Sequence, residues 1–135
     1  IENIDYSNKD NLDNVLIIDS IGILSSLYKY ATIAYIGGGF GVGIHNILEA
    51  ATFGKPIIFG PNYIKFKEAI DLIEREGAFS YNESSKLGEL IDKLLEKEDY
   101  YKKSSDICRG YIEENIGACE RILSKIGQLQ NKDGD

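Results

Sequence analysis

The sequence predicts an α/β fold whose sheet is doubly wound and mainly parallel. Short apolar runs with the composition of buried strands alternate with segments of helical periodicity. No two-residue hairpin signal joins these runs, so crossover helices are expected to link the strands. Five glycines within residues 37–43 follow one of the runs, as in the strand-to-helix turns of Rossmann-like domains.

The first predicted unit follows a polar segment. Residues 1–14 are rich in Asn and Asp and are predicted to be a flexible end. The apolar run at residues 15–18 predicts a buried parallel strand. Apolar residues at helical spacing then predict a helix over residues 21–31, with Asp19 or Ser20 as its N-cap.

The second predicted unit contains the glycine cluster. Residues 32–36 predict a strand, residues 37–43 a loop, and residues 45–53 a helix that Gly54 closes. Glycines permit positive φ angles and the close approach of a ligand, and the first N–H groups of a helix have no partner within it. The loop is therefore a candidate anion site. Its candidate residues are Gly38, Gly39, Gly41 and Gly43.

Three polar side chains stand beside this loop. On a helix that starts near residue 45, His45, Asn46 and Glu49 face the same crevice. A carboxylate accepts hydrogen bonds from both hydroxyls of a ribose, whereas it repels a phosphate. The pattern predicts a nucleotide site, with the phosphate on the loop and the ribose on Glu49. Two structural interpretations stay open: glycine-rich turns occur as plain tight connections, and the helix dipole alone favours a carboxylate in a first turn.

The remaining elements continue the alternation. The predicted elements are a strand at 57–59, a helix from 66 to about 77, a strand at 78–81, a helix capped by Ser84 or Ser85, and a helical segment at 99–129 divided near 115–117. Residues 130–135 are predicted to be a second flexible end.

The turn after the 57–59 strand adds weaker candidates for the site. Gly60, Pro61 and Asn62 are expected beside the glycine loop, because parallel strands end at one edge of a sheet. A rigid Gly-Pro turn explains these residues equally well. Lys65 stands near the start of a helix, where a cation is unfavourable unless it meets an anion, although a solvated lysine is the commoner role.

Six segments resemble, in order, the C-terminal half of the 3-deoxy-D-manno-octulosonic acid (Kdo) transferases. They are Asp19–Gly22, Leu27–Tyr28, Ile36–Gly38, His45–Ala50, Gly54–Pro56 and Phe59–Pro61. The resemblance implies a GT-B fold and an inverting glycosyltransferase that moves Kdo from CMP-Kdo to a lipid A precursor. This sequence departs from the family pattern at Ile23, where the family commonly has Glu, and at residues 48–51, which lack the family's Pro.

The resemblance also implies roles for the chain and its residues. Residues 1–135 form one nucleotide-sugar-binding domain of a longer two-domain enzyme, and this domain is expected to be inactive alone because the acceptor half is absent. The turn at Asp19, Ser20, Ile21 and Gly22 faces the donor, although helix capping explains the first two equally well. No catalytic residue is assigned, since base catalysis in this family resembles a task for the N-terminal half. His45 is interpreted as a hydrogen-bond partner of the loop backbone.

Composition limits the partners. The net charge of −7 and the pI near 4.7 argue against a nucleic-acid binder, which has a basic surface. Neither a metal nor a cofactor is expected, since CMP-Kdo is a substrate. The family resemblance, rather than composition, implies the partners: the nucleotide sugar, the N-terminal acceptor domain of the same protein and, through that domain, a lipid A precursor at the membrane. The expected location is the cytoplasm, at the cytoplasmic face of the inner membrane for the full-length protein.

The two cysteines are predicted to be free thiols. On one continuous helix Cys108 and Cys119 would lie about 16 Å apart, which is too far for a disulfide. A reducing cytoplasm agrees with buried, unpaired cysteines.

Two other kinds of function remain as alternatives. The chain could be the donor half of another GT-B enzyme that uses a UDP sugar, either a transferase or an epimerase. The His45–Asn46 pair together with Asp19–Ser20 favours the Kdo transferases. It could also be a nucleotide-binding or receiver-like module without catalysis. A receiver needs a phosphorylatable Asp after its third strand, whereas the strand at 57–59 ends in Gly60–Pro61.

Overall fold

The computed structural model describes residues 15–19 and 21–117. Its elements are α1 (Leu24–Leu27) with a 3-10 turn (Tyr28–Tyr30), β1 (Ala34–Ile36), α2 (Leu48–Thr52), β2 (Ile57–Phe59), α3 (Lys67–Glu74), β3 (Ala78–Ser80), α4 (Ser84–Glu96) and α5 (Glu98–Asn115). None of these helices is both long enough and apolar enough to cross a membrane. The predicted flexible ends, Ser20 and Cys119 lie outside the described residues.

The described strands form one parallel sheet in the order β1-β2-β3. Ala34 pairs with Ile57, and Ile57 pairs with Ala78, so the three strands are in register and end at the same edge. The strands carry no charged residue, as expected for a parallel sheet with helices packed on it. The predicted α/β class with a parallel sheet is confirmed.

The core lies between one face of this sheet and helices α2, α3 and α5. Its fully buried side chains include Ile47, Ala50, Ile57, Phe59 and Leu72. On β1 the buried Ala34 and Ile36 flank an exposed Tyr35, so the two faces of this strand meet different surroundings. The core therefore fixes α2, and with it the residues that follow the glycine cluster.

Helix α5 crosses both of the turns that end α2 and α3. The Ser105 hydroxyl donates a 2.6 Å hydrogen bond to the carbonyl of Gly54. The carbonyl of Gly77 accepts hydrogen bonds from Ser104 at 3.2 Å and from Cys108 at 3.1 Å. Ser104 and Cys108 are completely buried, so each bond satisfies groups that water does not reach. These bonds hold α2 and α3 in place from one side.

The predicted strand at residues 15–18 is wrong. The side chains of Val15, Leu16, Ile17 and Ile18 are between 41% and 82% exposed, and they pair with none of the described strands. A strand needs a neighbour that shares its hydrogen bonds and covers its apolar face. The composition of residues 15–18 favours a strand, but among the described residues no neighbouring strand pairs with them.

Two predicted N-caps are also wrong. Helix α1 begins at Leu24, after Gly22 in a positive-φ conformation, so Asp19 is too far upstream to cap it. Helix α4 begins at Ser84 itself, with Glu83 in the N-cap position and no side-chain hydrogen bond there. Ile116 follows the last residue of α5 and is 66% exposed.

We expect the Cys108 thiol to be inert in the folded chain. Burial raises its pKa from 9.0 to about 12, so the reactive thiolate is scarce at neutral pH. Alkylation with iodoacetamide at pH 8, followed by peptide mapping, should leave Cys108 unmodified in buffer and modify it in urea. Rapid modification without denaturant would contradict the buried position.

The raised pKa of Cys108 also predicts a pH dependence of stability. The folded state keeps the thiol proton to a higher pH than the unfolded state does, so the free energy of unfolding should fall as the pH rises from 9 towards 12.

Candidate functional site

The glycine loop, residues 37–43, connects β1 to the segment before α2. Gly38 has φ +86° and Gly43 has φ +149°, a region that residues with side chains rarely adopt. A Cβ atom on Gly38 would lie 2.2 Å from the carbonyl oxygen of Gly43, and the Gly41 N–H donates a 2.9 Å hydrogen bond to the carbonyl of Gly38. The loop folds tightly onto itself, and Gly38 is the position with least tolerance for a side chain.

The glycine loop also packs against the turn after β2. A Cβ atom on Gly39 would lie 2.6 Å from the backbone nitrogen of Gly60, and both glycines are buried. Asn62 joins the two segments by donating from its backbone N–H to the carbonyl of Gly39 at 2.9 Å and from Nδ2 to the carbonyl of Gly41 at 2.8 Å. The expected meeting of the two strand ends is therefore present.

Helix α2 starts later than the spacing predicts. It begins at Leu48, so His45 and Asn46 precede it, and the prediction of three residues on one helical face has the wrong boundary. The Asn46 side chain accounts for the late start, because its Oδ1 accepts the N–H of Leu48 at 3.0 Å and thereby competes with an earlier helical turn. Its Nδ2 donates to Oε1 of Glu49 at 3.0 Å.

The three polar residues still line one cavity, which we name the Glu49 cavity. It has a volume of about 430 Å³ and runs beside β1. Partial burial, together with the nearby charge of Glu49, raises the pKa of Tyr28. The Tyr28 phenol is therefore neutral at physiological pH and able to donate a hydrogen bond. The lining residues are Leu24, Tyr28, Tyr35, Ile36, Gly37, His45, Asn46 and Glu49.

A second cavity, the Lys65 cavity, lies on the other side of the glycine loop. Its volume is about 300 Å³, and it is lined by Gly41, Val42, Pro61, Asn62, Ile64, Lys65 and Phe66. Lys65 is exposed and forms no ion pair within the described part of the chain, whereas Lys67 is bound to Asp71 at 2.5 Å. Lys65 is thus the cationic residue of this cavity.

The remaining predicted residues fall into two groups. Asp19, Ile21 and Gly22 are exposed and line neither cavity, and Ser20 lies outside the described residues. Gly39, Gly43 and Gly60 offer only backbone groups, and a Cβ added to Gly43 would lie 3.0 Å from the Phe66 ring. In the described ranges, no group of three or more His, Cys, Asp or Glu side chains is placed to hold a metal ion.

Sequence reasoning missed the aromatic walls of the Glu49 cavity. Tyr28 belongs to one of the segments that carry the family resemblance, but its side chain was not assigned to the site. The alternation along β1 does predict the orientation of Tyr35, because its neighbours Ala34 and Ile36 face the core and Tyr35 must face the other way. Which cavity that face meets depends on elements distant in sequence.

Comparisons with known proteins identify relatives of this chain. The 3-deoxy-D-manno-octulosonic acid transferase of Aquifex aeolicus is 35% identical over 111 residues, which are 78% of this chain and 31% of that protein. The enzyme of the same name from Rickettsia bellii is 32% identical over 124 residues, covering 89% of this chain and 28% of that protein. This chain thus spans under a third of the length of these curated relatives. No protein-family model matches the sequence.

A solved structure shares the fold. The C-terminal CMP-Kdo binding domain of WaaA from Acinetobacter baumannii aligns with a TM-score of 0.54 over 67% of this chain and 50% of that chain, at 22% identity. This likeness supports the Rossmann-like architecture. The curated relatives confirm the predicted resemblance to the Kdo transferases.

We expect Gly38→Ala to disrupt the loop. The substitution places a Cβ 2.2 Å from a backbone oxygen and forces alanine to a φ of +86°, so the free energy of unfolding should fall by roughly 1–3 kcal/mol. The matched control is Gly88→Ala in α4, where a Cβ meets nothing within 4 Å. That control should gain roughly 0.5–1 kcal/mol, because alanine is the better helix former. Urea unfolding of both variants measures the difference, and equal stabilities would refute the strained loop.

Proposed function

Since this chain is a relative of the C-terminal half of the 3-deoxy-D-manno-octulosonic acid (Kdo) transferases, we propose that it is the donor-binding part of such an enzyme. The observation that carries the proposal is the Glu49 cavity, which brings a carboxylate, an amide and a phenol beside a tight glycine loop. Its volume lies in the range of small-molecule sites. The donor it takes is CMP-Kdo.

Glu49 binds the ribose of the donor in this proposal. The hydrogen bond from Asn46 Nδ2 occupies one oxygen of the carboxylate and fixes its direction. An ionised carboxylate offers about four acceptor sites, so the remaining ones receive the ribose hydroxyls. Tyr28 and Tyr35 provide the aromatic walls against which the cytosine packs.

The anionic parts of the donor meet the glycine loop and Lys65. The loop separates the two cavities, since Gly37 lines one and Gly41 lines the other. A donor that spans the loop therefore has its nucleoside beside Glu49, its phosphate on the loop, and its acidic sugar in the Lys65 cavity. Loop N–H groups and the lysine charge stabilise the departing CMP phosphate, which is the electrostatic part of glycosyl transfer.

The full reaction requires more than this chain. Inverting transfer needs a base that deprotonates the acceptor hydroxyl, and we assign that task to the N-terminal acceptor domain of the complete enzyme. The acceptor in this proposal is a lipid A precursor at the cytoplasmic face of the inner membrane. The chain alone binds the donor and does not turn it over.

We expect the chain to distinguish CMP from UDP. Amide chemical shifts followed by NMR should change for residues 37–49 and 60–62 on addition of CMP, and much less on addition of UDP. Equal responses to both nucleotides would indicate a donor half for a UDP sugar. No response in a folded chain at millimolar nucleotide would refute donor binding and leave the glycines with a structural role.

We expect Glu49→Gln to remove the preference for ribose. The loss of a charged acceptor should weaken CMP binding about tenfold, which is about 1.4 kcal/mol. Binding of 2′-deoxy-CMP should change far less, since it lacks one of the hydroxyls that Glu49 accepts. Isothermal titration of both ligands against the variant and against Glu96→Gln, an exposed control on α4, measures the effect. A uniform loss for both ligands would place Glu49 away from the ribose.

A further inference from the structure

Three aromatic side chains connect the glycine loop to the ends of two strands. Tyr35 belongs to β1, Phe40 to the glycine loop, and Tyr81 follows β3. The Phe40 and Tyr81 rings make an edge contact with centroids 5.3 Å apart, and the Tyr35 and Tyr81 rings are 6.2 Å apart. The two tyrosine hydroxyls form a 3.0 Å hydrogen bond. We name these three residues the aromatic cluster.

The core does not hold these side chains. Tyr35 is 52% exposed and Phe40 is 55% exposed, so half of each residue remains in contact with water. The cluster is instead anchored by the sheet, because the Tyr81 N–H donates a 3.2 Å hydrogen bond to the carbonyl of Phe59 in β2. The Phe40 ring also lies close over Gly60, where an added Cβ would come within 2.7 Å of the ring. Phe40 is thus held between Gly60 and Tyr81.

The hydroxyl bond within the cluster persists at physiological pH. The hydrogen bond with Tyr35 raises the pKa of Tyr81, and burial acts in the same direction. The Tyr81 hydroxyl therefore stays protonated in the neutral range and can donate or accept this hydrogen bond.

We propose that Tyr81 is a positioning residue, which holds Phe40 and thereby keeps the glycine loop in the conformation that binds the donor. This inference rests on the proposed function of the loop. Tyr35 lines the Glu49 cavity, whereas Tyr81 lines neither of the two cavities. Tyr81 therefore acts through its two aromatic neighbours and without touching the ligand.

The physical need for such a residue follows from the loop composition. Five glycines in seven residues give the unbound loop more backbone freedom than other sequences would. A ligand that binds one loop conformation loses apparent affinity in proportion to the fraction of molecules that lack it. The Phe40 contact adds a side-chain restraint to a segment whose other restraints are backbone contacts and the bonds from Asn62.

The test compares Tyr81→Leu and Tyr81→Phe with a matched control in the 135-residue chain. The control is Tyr100→Leu, because Tyr100 packs against Phe79 with centroids 5.7 Å apart and lies in α5, away from the loop. Amide hydrogen exchange is followed at Gly41 and Asn62, whose N–H groups donate within and onto the loop. CMP affinity is measured on the same samples.

We expect Tyr81→Leu to accelerate exchange at these two amides and to weaken CMP binding, each by about fivefold, as for the loss of one aromatic contact. Tyr81→Phe keeps the ring and should give about a twofold change through the lost hydroxyl bond. Tyr100→Leu should leave both quantities unchanged. Wild-type exchange rates in Tyr81→Leu, or the same acceleration in Tyr100→Leu, would overturn the positioning role. If the wild-type chain does not bind CMP while loop exchange responds as expected, the proposed function fails and the restraint on the loop stands.

Discussion

The backbone contact between Gly39 and Gly60 sets the arrangement of the whole site. It brings together the segments that leave β1 and β2, and it does so at a separation that excludes a side chain on either residue. Asn62 reinforces this contact with two hydrogen bonds to the loop. Because the loop is fixed there, one cavity opens on its β1 side and the other on the side of the turn after β2. Glycine is required at these positions for steric reasons, and the proposed anion-binding role depends on the resulting loop conformation.

The other part of the site depends on helix α5. Ser104, Ser105 and Cys108 of α5 donate hydrogen bonds to the carbonyls of Gly54 and Gly77. These two glycines lie in the turns that follow α2 and α3. Because α2 carries Glu49, α5 determines the position of the carboxylate that we propose binds the ribose. Asn46 in turn sets the start of α2 at Leu48 and orients the Glu49 carboxylate.

The chemistry of the two cavities suits a donor with unlike ends. The Glu49 cavity has a carboxylate and two tyrosines, which match the hydroxyls and the base of a nucleoside. The Lys65 cavity has a lysine outside the ion pairs of the described chain, which matches an acidic sugar. A net charge of −7 gives the chain no general attraction for anions, so the proposed binding of such a donor depends on local contacts.

The sequence by itself determined the features that depend on neighbouring residues. These are the alternation of strands and helices, the strand at 57–59, the glycine loop, and the proximity of His45, Asn46 and Glu49 to one another. Tertiary structure decided the features that need a distant partner. The apolar run at 15–18 meets none of the described strands, and Tyr35 became a cavity wall only because α1 and α2 pack beside β1. Local composition sets the secondary structure that a segment prefers, whereas contacts across the fold determine whether the segment adopts it.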